Sequence, residues 1–189
     1  MNKTRLWLLT GEPGSGKSTA LSRIMLSVRS HGFTVGGILT REIRKRGERE
    51  GFLLVNVATD ESKVLASVSG ITGPRIGKYR VDLNSLAIVA VSALEHARTS
   101  SDLVACDEIG PMELLSRDFR EEVRLAILES YKPCVCVVHK SYSDPLIDDL
   151  KKSTDAREIE LTLENRDSVT EEVQKDIIQV ISSVAKGKK

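Results

Sequence analysis

Eight residues near the start of the chain have the types and spacing to grip phosphate. Gly11-Glu12-Pro13-Gly14-Ser15-Gly16-Lys17-Ser18 matches G-x-x-x-x-G-K-[ST], and Thr19 follows. The glycines let backbone N–H groups turn inward onto phosphate oxygens with no Cβ in the way. Lys17 can bridge the β- and γ-phosphates of a nucleoside triphosphate, and the Ser18 hydroxyl is suited to ligate Mg2+. A second constellation lies far along the chain. Asp107-Glu108 directly follows the apolar run Leu103-Val104-Ala105-Cys106 and is continued by Ile109-Gly110. Asp107 is the natural Mg2+ partner, through a coordinated water, because Mg2+ keeps much of its hydration shell. Glu108 is placed to orient and polarise an attacking water.

The acidic pair bears on what happens to the bound phosphates. A carboxylate immediately after the metal-partner Asp favours water as nucleophile, so hydrolysis is the preferred expectation. A small nucleotide or metabolite kinase using ATP as phosphoryl donor is the alternative, with the arginines around 41–49 as a lid. A non-enzymatic switch that signals through its bound nucleotide is a third reading, and Glu108 argues against it.

These groups need elements to position them. Leu6 to Thr10 reads as a strand entering the loop, and Leu21, Ile24, Met25 and Val28 recur on one face of a helix leaving it, with Gly32 as its stop. That strand–loop–helix context is what a phosphate loop requires. Val35 to Ile43 and Phe52 to Ala58 read as strands joined by a polar hairpin tip, Arg44 to Glu50. Gly70 to Lys78 reads as a loop, and Asn84 as the cap of a helix carrying Leu86, Val89, Ala90 and Leu94. Leu103–Cys106 and Cys134–Val138 read as buried strands. Ser116 is a cap for a helix with Phe119, Val123, Ala126 and Ile127 inward. Leu146, Ile147 and Leu150 mark a short helix, Glu158–Leu163 a strand, and Val169 to Val184 a long amphipathic helix. The alternation predicts an α/β P-loop fold: a mostly parallel sheet with helices on both faces, plus an antiparallel hairpin near residues 35–58. Residues 1–185 are read as a single domain and 186–189 as a frayed basic tail.

Composition narrows the partners. Lys+Arg is 28 and Asp+Glu 27 among 189 residues, so no global basic field exists to attract nucleic acid or anionic lipid, and anion binding must come from a local site. Three cysteines, Cys106, Cys134 and Cys136, form no disulfide framework. Cys134 and Cys136 would share one strand face and fit buried core thiols better than a metal pair. No apolar stretch is long enough for a signal peptide or membrane helix, so a cytoplasmic location is expected. The oligomeric state is left open: a monomer is favoured, and a partner or second subunit could supply an arginine finger.

Further candidates follow from position. His139 ends the strand Cys134–Val138, where many P-loop ATPases carry a polar γ-phosphate sensor. Asn165 and Arg166 follow the strand near 158–163 and could contact base or ribose, with Arg166 over a ring. Thr40, Glu42 and Arg44 could bring the hairpin near the γ-phosphate, and Arg75 and Lys78 could form a cationic cover. No arginine finger can be assigned, in cis or in trans, which fits slow intrinsic hydrolysis.

Taken together, Gly11–Thr19 as GEPGSGKST, Thr40–Arg44 as TREIR, Gly77–Asp82 as GKYRVD, Asp107–Leu114 as DEIGPMEL and Glu164–Arg166 as ENR cover nearly the whole chain. In this order they resemble the nucleoside-triphosphatase family of the thermophile type, also described as cancer-related nucleoside-triphosphatase. The resemblance implies Mg2+-dependent hydrolysis of ATP, GTP and other nucleoside triphosphates to diphosphates, with slow turnover and loose base choice. Pro111 departs from the family, which often carries Lys there. Any contact that Lys makes to nucleotide is lost, and the fixed φ of proline stiffens the turn that holds Glu108.

Overall fold

The computed structural model describes residues 4–186. Nine strands share one sheet: β1 (Leu6–Thr10), β2 (Val35–Lys45), β3 (Glu48–Asn56), β4 (Ser62–Ser67), β5 (Arg75–Ile76), β6 (Tyr79–Val81), β7 (Leu103–Ile109), β8 (Cys134–Val138) and β9 (Ala156–Glu160). The helices are α1 (Lys17–Ser30), α2 (Leu83–Ser85), α3 (Ser92–Ser100), α4 (Arg117–Val123), α5 (Pro145–Lys152) and α6 (Arg166–Lys186). A π-helical segment, Leu86–Val91, joins α2 to α3, and another, Arg124–Leu128, extends α4.

The spatial order is β5-β6-β4-β3-β2-β7-β8-β1-β9. The strands β2, β7, β8, β1 and β9 are parallel, and β3, β4, β6 and β5 continue the sheet as an antiparallel wing. The central strands β1, β7 and β8 are buried on both sides, and period-2 alternation sends their residues to two cores. Leu6, Leu8, Val104, Cys106, Cys134 and Cys136 join the core under α3, α4 and α5. Trp7, Leu9, Leu103, Ala105, Val135 and Val137 join the core under α1 and α6. The three thiols are therefore core groups, and burial raises the pKa of each, that of Cys134 to about 12.

Several elements differ from the sequence reading. The antiparallel part is larger than the hairpin, because β4 and the short β5–β6 pair extend it. Ser62–Ser67 has too brief an apolar centre to announce a strand, and β5 lies inside the glycine-rich stretch read as loop. The hairpin tip narrows to Arg46-Gly47, both at positive φ, so most of the charged cluster is strand. Asp82, not Asn84, caps α2: its carboxylate accepts the N–H groups of Asn84 and Ser85. The last strand is Ala156–Glu160 rather than Glu158–Leu163, because the chain turns away after Leu161. Ser116 accepts the Phe119 N–H at 3.2 Å, the cap its sequence position implies. Lys186, read as the first residue of the tail, is the last residue of α6, and residues 187–189 lie outside the described residues.

Candidate active site

The carboxyl ends of β1, β7 and β8 open on one cavity of about 720 Å3, where an open α/β sheet binds its ligands. The phosphate loop forms its floor. Gly11 stands at φ 143°, and a Cβ there would come within 2.4 Å of the Leu161 carbonyl oxygen. Gly16, at φ 97°, is the residue before α1, and Arg166 lies across it with Cδ 3.2 Å from where a Cβ would stand. Only glycine lets the loop turn here and start a helix whose positive end faces the cavity. Lys17 Nζ donates to the Gly11 and Glu12 carbonyls, each at 2.9 Å, so its ammonium rests on the loop's own oxygens.

The acidic pair sits in an irregularity of the sheet. Cys106 pairs with Cys136 and Ile109 with Val138, so β7 spends one residue more than β8 between those pairings. That extra residue sends Asp107 and Glu108 to the cavity while Cys106 and Ile109 stay in the core. The Asp107–Glu108 peptide is cis. Thr40 Oγ1 donates to the Asp107 carbonyl at 2.6 Å and ties the middle of β2 to this turn.

Asp107 is 2% exposed, and its Oδ2 has no hydrogen-bond partner. Burial pushes its pKa up to about 7; the Ser18 hydroxyl opposes the rise, the Glu108 charge adds to it, and Lys17 lowers it. Burial also raises Glu108, with His139 and Lys17 opposing. A buried carboxylate oxygen without a partner, beside a serine hydroxyl, is a hard-oxygen pair that fits Mg2+. Among the described residues no group of three or more His, Cys, Asp or Glu could hold a metal alone. This suits an ion that takes its other ligands from water and phosphate.

Thr10 Oγ1 and Ser15 Oγ are likewise buried without partners. Three of the four such side-chain atoms among the described residues therefore adjoin or belong to the loop and its acidic neighbour, Trp7 Nε1 being the fourth. Unpaired buried polar atoms are costly and call for an explanation, such as a ligand.

The other predicted residues divide. Glu12, Pro13, Gly14, Thr19, Thr40, Glu42, His139 and Arg166 line the cavity. The Ser141 N–H donates to His139 Nδ1 at 3.3 Å, so Nε2 is the ring nitrogen left to donate. Asn165 does not line the cavity: its amide accepts from Thr162 N–H and donates to the Glu160 carbonyl, closing the turn before α6. Gly110 lies behind the wall, against Glu108 and Glu113. Arg44 bonds to Glu42 and the Gly47 carbonyl, while Arg75 and Lys78 stay on the β5–β6 turn and off the cavity.

Sequence reasoning gave several residues of this region no part in hydrolysis. Arg49, read only among the lid arginines of the kinase alternative, and Phe52, in an ordinary strand, reach the cavity from β3. Lys140 bridges Glu12 and Glu160 across the mouth at 2.8 Å each, and these hydrogen bonds raise its pKa. Glu113 is buried beside Glu108. Burial first and then the Glu108 charge push its pKa up to about 8, against the N–H groups of Glu113 and Gly110. Only its place in the acidic segment pointed to it.

Fold and loop together define a P-loop protein of the nucleoside-triphosphatase type. The chain belongs to the NTPase family, whose model matches residues 7–174. It is 41% identical over 166 residues to the nucleoside-triphosphatase THEP1 of Methanosarcina acetivorans, covering 87% of this chain and 92% of that one. The crystal structure of THEP1 from the hyperthermophile Aquifex aeolicus superimposes with a TM-score of 0.79 at 30% identity, over 89% of this chain and 96% of that one. The solution structure of a human cancer-related nucleoside triphosphatase gives 0.76, also at 30% identity, over 90% and 95%.

Proposed function

We propose that this protein is a Mg2+-dependent nucleoside-triphosphatase that hydrolyses ATP, GTP and other nucleoside triphosphates to diphosphate and phosphate. The observation that carries this reading is the set of buried, partnerless oxygens on Thr10, Ser15 and Asp107, gathered around a phosphate loop with Glu108 beside them.

The loop N–H groups and Lys17 hold the phosphates. Lys17 leaves the Gly11 and Glu12 carbonyls and transfers its three donors to phosphate oxygens, exchanging neutral acceptors for charged ones. Ser18 and Asp107 would hold the metal. Bound there, Mg2+ neutralises charge on the β- and γ-phosphates. Glu108 accepts a proton from water as the water oxygen bonds to the terminal phosphorus. The bond from that phosphorus to the bridging oxygen breaks, and the diphosphate leaves. His139, with Nε2–H available, is suited to donate to a terminal phosphate oxygen.

Loose base choice is supported by Arg166, whose flat guanidinium can stack on any base, while the Asn165 amide is already committed to its turn. Slow turnover is supported by the bonding of the cavity's arginine on β3, Arg49, to Glu42 rather than to the loop. No helix among the described residues is long and apolar enough to cross a membrane. We read residues 1–185 as one domain acting as a monomer.

Glu108→Gln keeps the shape and removes the base. Phosphate release should fall by about 10²-fold or more, the scale of general-base catalysis, with nucleotide affinity by fluorescence titration unchanged. Full activity in that variant would remove Glu108 from its role.

A further inference from the structure

One ion pair at the cavity makes no contact with the phosphate loop or the acidic pair in the scheme above. Arg49 Nη1 lies 2.8 Å from Glu42 Oε1, and Arg44 takes the other oxygen of the same carboxylate at 2.5 Å. The Arg49 guanidinium stands 5.2 Å over the Phe52 ring centroid, and its Nε donates to the Tyr79 hydroxyl at 3.0 Å. Glu42, Arg49 and Phe52 line the same cavity as Lys17, Ser18 and Glu108.

The placement is specific. Thr40 and Glu42 lie on one face of β2, about 7 Å apart along the strand. Thr40 is bonded to the Asp107 carbonyl, so the Glu42–Arg49 pair stands one strand repeat beyond the acidic turn. Arg166, the other arginine of the cavity, lies over Gly16 at the start of α1, on the far side of the loop from β2. Of the two, Arg49 is therefore the one on the side of Glu108.

The pair is also built to open. The two side chains are 43% and 37% exposed, and ion pairs so open to water are weakly held. Glu42 is shared by two arginines, so it keeps Arg44 when Arg49 leaves. A terminal phosphoryl group carries more charge than one carboxylate and matches the guanidinium fork equally well. The ring of Phe52 gives the moving guanidinium a surface to slide on.

We propose that Arg49 is a further catalytic residue, an arginine supplied in cis to the phosphoryl oxygens during hydrolysis, and that Glu42 is the latch that holds it away beforehand. Arg49 makes and breaks no covalent bond; it stabilises charge on the transferring group. The proposal rests on the reading that water attacks a terminal phosphate in this cavity.

The test measures kcat and KM for phosphate release from MgATP, ADP affinity and thermal midpoint in the wild-type chain, Arg49→Ala, Arg49→Lys and Glu42→Gln. Arg49→Ala should lower kcat by about 10²-fold or more, within the range an arginine of this kind supplies, while ADP affinity and midpoint hold. Arg49→Lys should restore little, because an ammonium cannot reproduce the fork. Glu42→Gln should raise kcat several-fold. Opposite effects from the two partners of one ion pair separate this role from a structural bridge, whose loss from either side lowers midpoint and rate together. Wild-type kcat in Arg49→Ala, or a parallel fall in Arg49→Ala and Glu42→Gln, would overturn the proposal while leaving the hydrolysis reading intact. No phosphate release from the wild-type chain would overturn both.

Discussion

At the residue scale the site is a set of carboxylates held short of water. Asp107 and Glu113 are buried, and each has a pKa raised far above its ordinary value, to about 7 and about 8. The folded chain therefore binds protons that the unfolded chain has released. Their stabilising contribution is complete below about pH 4, and it declines as pH rises through the folded values. The metal-free, nucleotide-free protein should show a thermal midpoint that falls from pH 5 to pH 8. Glu113→Gln, which cannot ionise, should flatten that fall by an amount worth a few kcal/mol, at about 1.4 kcal/mol per pKa unit. An unchanged slope in the variant would show that Glu113 does not titrate in this range. The phosphate loop and Asp107-Glu108 were legible as residues because their spacing is dictated by phosphate and metal geometry. Glu113 and Arg49 were not, because burial and a strand register, rather than a local motif, bring them to the site.

At the element scale the site depends on strand ends and the helices behind them. Asp144 links two of those helices. Its carboxylate caps α5 by accepting the Leu146 N–H at 2.9 Å and forms a paired contact with Arg120 of α4. Arg120 in turn donates to the Leu114 carbonyl, in the segment that follows the acidic turn. Asp144→Ala should cost about 2–4 kcal/mol from the lost cap and charged hydrogen bonds. Asp144→Asn should cost about half as much, because the amide oxygen still caps. Equal denaturant midpoints for both variants would contradict this division. The strands β1, β7 and β8 were readable because both faces are buried and their runs are continuously apolar. The wing was not, because β4, β5 and β6 are short and half-exposed, and their pairing is set by the hairpin beside them. The misplaced cap at Asn84 has a similar cause: Asp82 and Asn84 are both good caps, and only the turn of the backbone chooses between them.

At the scale of the whole molecule, the parallel half supplies the phosphate and metal groups, and the hairpin of β2 and β3 supplies Glu42, Arg49 and Phe52 to the same cavity. On the proposed reading, the parallel half binds as it stands, and turnover stays slow while Arg49 is held by Glu42 away from the loop. The loop motif belongs to the parallel half, whereas the approach of Arg49 and Phe52 to the cavity is visible only in the fold. The central claim, that the cavity joins metal, triphosphate and Glu108 for hydrolysis, is tested most directly by free phosphate release. ATP, GTP, CTP and UTP would each be supplied with Mg2+ and with excess chelator, alongside a panel of nucleoside monophosphates and nucleosides as acceptors. We expect phosphate from all four triphosphates, at rates within about tenfold of one another, and none above background with chelator. Release that persists without metal, or a phosphorylated acceptor formed faster than free phosphate, would contradict the account.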